Sequence, residues 1–201
     1  LIKNKFKEFF MMEGSFEINV KQKNEIPDEL VGIFERGIKG FYGAGRELML
    51  YLGEQLVNGK NYAYITRCTP ATLHPVPYYE LIIIYVDREG RASIGRRETI
   101  IESSQIGTVG GIICSSSYEA SIQENESAES KHLLDLFEKA VSNVSDFYYK
   151  ADLYLGHKVV QGCKYYYLAE AKDKKGENSI KLLEIYSFMD KIKVSGTKDI
   201  L

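Results

Sequence analysis

The chain has 201 residues, 44% of them hydrophobic and 27% charged, with a formal net charge of −2. That profile suits one large or two small globular domains, and it excludes a global field that draws in nucleic acid or an anionic membrane. Three cysteines, Cys68, Cys114 and Cys163, with no Cys-x-x-Cys pair, exclude a disulfide framework and point to reduced thiols in a cytoplasmic protein.

In chain order, residues 1–10 carry basic residues, and the apolar Phe9–Met12 patch is too short for a signal peptide core. The leading Leu1, followed by Met11-Met12, admits two readings: untranslated sequence read through by mistake, or a natural or clipped extension. Residues 14–20 alternate and predict a short strand or extended arm. Pro27-Asp28 open a helix, with Asp28 able to cap and Glu29 suited to the positive end. Leu30, Ile33, Phe34, Ile38 and Phe41 form its apolar face. Gly32, Gly37 and Gly40 weaken it by roughly 1 kcal/mol each relative to Ala, so they mark close packing or a bend. Gly43-Ala44-Gly45 is expected to end it.

Leu48, Leu50 and Leu52 alternate with Glu47, Met49 and Tyr51 as a strand. Asn58-Gly59 then predicts a type I′ hairpin turn, which needs positive φ at both central residues. The returning strand is Asn61–Arg67, and Pro70, Pro75 and Pro77 make Thr69–Pro77 a loop. Tyr79–Val86 is the most apolar strand, and Asp87–Gly90 turns into Arg91–Gly95. One helix followed by four antiparallel strands predicts an α+β unit whose sheet wraps the helix.

The pattern then returns. Leu52, Gly53, Val57, Gly59, Tyr62 and Tyr64 match Leu155, Gly156, Val160, Gly162, Tyr165 and Tyr167 at one offset of 103, without a gap. Leu30 and Phe34 match Leu133 and Phe137 at the same offset, in a helix restarting near Ser127. A long-period repeat fixes architecture before any other signal. The expected organisation is a first unit at 11–95, a linker at 96–110 and a second unit at 111–201, and residues 11–95 are expected to fold alone.

At the repeated hairpin the chain resembles the cystatins, particularly the intracellular stefins. Their first hairpin carries Gln-x-Val-x-Gly; here it reads Gln55-Leu56-Val57-Asn58-Gly59. The second copy, Lys158-Val159-Val160-Gln161-Gly162, keeps Val and Gly without the Gln. Met11-Met12-Glu13-Gly14 is similar to a stefin start, and Gly110-Gly111 is its counterpart before the second copy. The resemblance implies two cystatin-like units, each one helix wrapped by a four- to five-stranded antiparallel sheet. It also implies a non-enzymatic inhibitor whose arm and hairpins plug the cleft of a papain-like cysteine protease without reacting.

By that resemblance Gly14, Gln55, Leu56, Val57, Asn58 and Gly59 contact the protease, flanked by Glu89 and Gly90 of the charged turn. Val159, Val160, Gln161 and Gly162 are the second-copy counterparts. A tight turn also wants Gly for itself, so a structural use of Val57 and Gly59 stands beside the docking use. The alternative function is a small-ligand or protein-partner module of the same fold, recognised by a cavity between helix and sheet. The Gln55–Gly59 hinge also offers a route to a swapped homodimer. Neither a metal nor another cofactor is expected, since His74, His132, His157 and the cysteines lack ligand spacing. Cys114 beside Ser115–Ser117 becomes a nucleophile only if a histidine reaches it.

Overall fold

The computed structural model describes residues 14–105 and 110–201. The readings that fall on residues 1–10, on Met11–Glu13 and on 106–109 lie outside them.

Period-two alternation sets the strands, and short polar or glycine stretches end them. The first half runs β1 (Phe16–Gln22), a 3-10 turn (Lys23–Glu25), α1 (Asp28–Ile38), β2 (Ala44–Val57), β3 (Gly59–Pro70), β4 (Tyr78–Val86) and β5 (Ala92–Glu102). The second half runs β6 (Ile112–Cys114), a one-turn helix α2 (Ser117–Ala120), α3 (Ala128–Val141), β7 (Phe147–Val160), β8 (Gly162–Asp173), β9 (Asn178–Phe188) and β10 (Lys191–Asp199). Each half is a five-stranded antiparallel sheet in sequential order. β5 reaches Glu102, beyond residue 95 where the sequence reading ended the first unit.

Along each central strand, alternate side chains enter two different cores. Tyr62 and Tyr64 of β3 and Ile82 and Ile84 of β4 face α1, packing on Ile33 and Phe34. Their neighbours Ala63, Ile65, Leu81 and Ile83 face the other way, into a layer shared with Leu153, Leu155, Leu168 and Ile180 of the second sheet. The outer face of the second sheet packs on α3 through Leu133, Leu136, Phe137, Tyr167 and Leu183. The layers are thus helix, sheet, sheet, helix, with the largest apolar cluster between the sheets.

This corrects the expected α+β unit of one helix wrapped by its sheet. Among the described residues strand far outweighs helix, and the second half carries two helices. The physical reason is that both alternating sets of the strands are apolar. A single short helix covers one face of a sheet, so the other face needs a second cover. The sister sheet supplies it.

Each helix is anchored to its sheet by one tyrosine. Tyr64 Oη donates to Leu30 O at 2.9 Å and Tyr167 Oη to Leu133 O at 3.0 Å, and the rings sit 5.3 and 5.2 Å from Phe34 and Phe137. Pro27, not Asp28, occupies the N-cap of α1, leaving Asp28 and Glu29 in the first turn against the helix dipole. The helix ends at Ile38, before the Gly43–Gly45 stretch expected to stop it, and Gly40 at φ +82° lets the chain leave. Gly37 is a close-packing point: a Cβ there would lie 2.6 Å from the Ile84 side chain.

The offset of 103 is repeated in backbone detail. β2 carries bulges at Leu48/Leu50 and Tyr51/Gly53, and β7 at Ala151/Leu153 and Tyr154/Gly156. Ser115 is held within the second half by Oγ donating to Tyr154 O at 2.7 Å, and its carbonyl accepts across the halves from Arg67 Nε at 2.9 Å. Glu98 of β5 pairs with Lys198 of β10 at 2.9 Å. Among the described residues no helix is long and apolar enough to cross a membrane.

Candidate docking site at the first hairpin

The β2–β3 hairpin ends in a turn with one residue at its tip. Leu56 pairs with Lys60 and Val57 with Gly59, leaving Asn58 outermost. The predicted type I′ geometry is not formed: Gly59 has φ +124°, whereas Asn58 is not among the positive-φ residues. The β7–β8 turn is built the same way, with Gln161 at the tip and Gly162 left-handed, at φ +98°.

Both turn glycines are needed by the sheet itself. A Cβ on Gly59 would lie 2.4 Å from Val86 O, and one on Gly162 2.5 Å from Ser187 O. The next strand also holds each tip: Tyr85 Oη donates to Asn58 O, and Tyr186 Oη to Gln161 O at 2.6 Å. The structural use of Gly59 is therefore real, and it makes the turn rigid. The apolar pair beside it faces outward, with Leu56 51% and Val57 37% exposed.

Gln55 ties the arm to this turn. Its Nε2 donates to Gly14 O at 2.6 Å, its Oε1 accepts from Asn61 Nδ2 at 2.7 Å, and Phe16 pairs with it across β1–β2. The charged turn lies alongside. A groove of about 490 Å³ is lined by Leu56, Val57, Gly59, Tyr62, Asp87 and Arg88, among others. Asp87 Oδ1 accepts from the amides of Glu89 and Arg91, both at 2.9 Å, and Oδ2 accepts from Arg91 Nε at 2.7 Å. The Arg91 side chain, with these amides, holds the Asp87 carboxyl below its ordinary range. Glu89 is tied to Arg91 at 2.7 Å, and Gly90 turns the chain at φ +83°.

The structure thus gathers Gly14, Gln55, Leu56, Val57, Asn58 and Gly59 at one sheet end, with the Asp87–Gly90 turn beside them. It does not bring Val159, Val160, Gln161 and Gly162 there. Val159, 58% exposed, lines another groove, of about 560 Å³, with Pro75, Val76, Pro77, Ile113 and Cys114. Those prolines follow the far end of β3, 12 residues from the first turn, about 40 Å at the rise of a strand. One docked protein cleft cannot take both hairpins.

Between helix and sheet, the Phe34–Tyr64 and Phe137–Tyr167 rings are in contact, with centroids 5.3 and 5.2 Å apart. Two of the three thiols are disfavoured as thiolates. Burial pushes the Cys68 thiol up to about 11, where Sγ donates to Glu80 Oε1 at 3.1 Å, and burial also raises Cys114. His74 and His132 are exposed, and His157 Nδ1 is engaged with Tyr154 Oη at 2.9 Å. In the native protein a maleimide is expected to label Cys163, which is half-buried, well before Cys68 or Cys114. Mass-mapped labelling kinetics check this; equal rates at all three would contradict the burial.

One constellation escaped the sequence reading. Glu80, 1% exposed, accepts from Arg46 Nε at 2.8 Å and from Arg97 Nη2 at 2.6 Å, and both guanidiniums lie over the Phe41 ring at 4.2 and 4.4 Å. Burial alone would raise the Glu80 pKa, but the bonds from Cys68, Arg97 and Arg46 outweigh it and leave the carboxyl below its usual range. A glutamate inside the most apolar strand was the available signal, because a buried charge demands a partner. No protein-family model matches the chain, and no curated protein matches it.

Proposed function

We propose that the protein is a non-enzymatic binding protein that docks its first hairpin into the cleft of a papain-like cysteine protease. The observation that supports this most is the pair Leu56 and Val57, exposed on a turn that Gly59, Tyr85 and Gln55 hold rigid. A preformed apolar wedge enters a cleft with little ordering cost, so complementarity rather than area carries its affinity. The arm at Gly14 and the Asp87–Gly90 turn flank it, as the cystatin resemblance requires of an inhibitor. The common offset of the bulges and of Gly53 with Gly156 supports descent of both halves from one tandemly duplicated unit.

Titration of papain with the intact protein tests the reading. Inhibition at micromolar concentration is expected, weakened at least about tenfold, or about 1.4 kcal/mol, by Val57→Asp or Leu56→Asp. Val160→Asp is expected to leave it unchanged. Absence of inhibition, or equal effects of the Val57 and Val160 changes, would sink the protease assignment. The second reading, a module for another ligand or partner, is favoured by the largely apolar groove around Val159 and Pro75–Pro77.

A further inference from the structure

The buried carboxylates among the described residues are Glu80 and Asp152, and they are satisfied very differently. Both oxygens of Glu80 accept hydrogen bonds from arginine. Asp152 is 0% exposed, and only its Oδ2 is satisfied, by the Glu170 amide at 2.8 Å. Its Oδ1 has no hydrogen-bond donor. Lys150 Nζ lies 3.6 Å from Oδ1, near enough for attraction but too far for a hydrogen bond. That ammonium is instead committed to Glu170 Oε1 at 2.9 Å, on a side chain 54% exposed.

The position explains why an acid is costly there. Asp152 is the extra residue of the β7 bulge between Ala151 and Leu153. At the matching bulge of β2 the residue is Met49, buried in the layer between the sheets. The charged groups acting on Asp152 are Glu170 on β8 and Lys150 on its own strand. Gln123, from the segment before α3, donates to the neighbouring Ala151 carbonyl at 2.7 Å, and the first sheet sends apolar side chains into that layer together with Arg67, whose Nε is bonded to Ser115 O at 2.9 Å. A buried carboxylate with one unmet oxygen is unfavourable, whereas the neutral acid keeps the bond to the Glu170 amide with no charge to desolvate.

We propose that Asp152 is a proton-operated switch: neutral, it holds the β7 bulge against β8, and ionised, it drives local opening of that bulge toward Lys150 and water. Burial, and then the Glu170 charge, push its carboxyl up to about 7, with Lys150 and the Glu170 amide opposing. Between the ordinary carboxylate range near 4 and about 7, the folded protein holds a proton that the unfolded chain has released. The contribution of this group to stability therefore falls as pH rises through that window, by up to tenfold in the folding constant per pH unit.

The test compares the intact protein with Asp152→Asn and with Asp152→Met, the residue of the matching bulge. Between pH 5 and 8 the folding constant of the unmodified protein is expected to fall at least tenfold relative to Asp152→Asn, with faster amide exchange at Leu153 and Glu170. The Asp152 carboxyl carbon, followed by NMR in the unmodified protein, is expected to titrate near neutrality even if a variant misfolds. Parallel stability curves, or a carboxyl that titrates near pH 4, would overturn the switch.

Discussion

A chain ending at Ser104 is expected not to fold as a monomer. The cut removes the cover from ten side chains of the shared layer: Met49, Leu50, Leu52, Ala63, Ile65, Tyr79, Leu81, Ile83, Ile100 and Ile101. Full burial of a large apolar side chain is worth about 1.5–3 kcal/mol, and a whole domain is stable by only about 5–15 kcal/mol. Even partial exposure of that face therefore exceeds what the first half can spare. The buried donors fail with it, since Tyr79 Oη and Arg67 Nε lose Ser115. Circular dichroism and sedimentation equilibrium should report an unfolded chain, or a self-associated one in which two first halves cover each other. A folded, monodisperse monomer would contradict the shared layer, and it would restore the expectation that residues 11–95 stand alone.

Replacing Gly53 or Gly156 by Ala is expected to cost about 4 kcal/mol or more, in the range of the most severe single substitutions. Gly53 has φ +149°, and a Cβ on it would lie 2.1 Å from Glu17 O; Gly156 has φ +142°, with its Cβ 2.2 Å from Ile113 O. In each case the obstacle is backbone of the neighbouring edge strand, which cannot rotate aside. Strand β1 or β6 must separate from β2 or β7. Gly40→Ala is the control, since φ is +82° there but nothing lies within 4 Å of the added carbon. It should cost only the left-handed conformation, roughly 1–2 kcal/mol. Urea unfolding separates the cases, and a Gly53→Ala loss no larger than that of Gly40→Ala would refute the steric account. Because β1 carries Gly14 toward Gln55, Gly53→Ala should also weaken any docking through the arm.

Much of this was legible from side-chain pattern. The strand alternation, the helix restart at Ser127, the glycine-bearing turns and the offset of 103 all rest on local chemistry, and Ser127 Oγ indeed accepts from Ser130 N at 3.1 Å. The second cover of each sheet was not legible. Alternating Leu48–Leu52 and nearly continuous Tyr79–Val86 state that both strand faces are apolar, but not what lies on each. A helix was visible and the sister sheet was not, because contacts between distant segments leave no local period.

Smaller misses have equally definite causes. The one-turn helix α2 was not anticipated, although Ser116 and Glu119 form the capping box that starts it. The turn type at Asn58-Gly59 was misjudged because the Cα register leaves Asn58 alone at the tip. At the candidate site, the motif residues were legible one by one, whereas the brace from Tyr85 and the groove shared with Asp87 and Arg88 needed β4 in place. The separation of the two hairpins likewise follows from how the sheets stack, not from either hairpin's sequence.

Native-state amide exchange on the intact protein addresses the shared layer most directly. The amides of Ala63 and Ile65 in β3 and of Leu168 and Ala169 in β8 should open with one common free energy, equal to that of global unfolding. If β8 exchanges through an opening that leaves β3 fully protected, each sheet has a core of its own and the layered account is wrong.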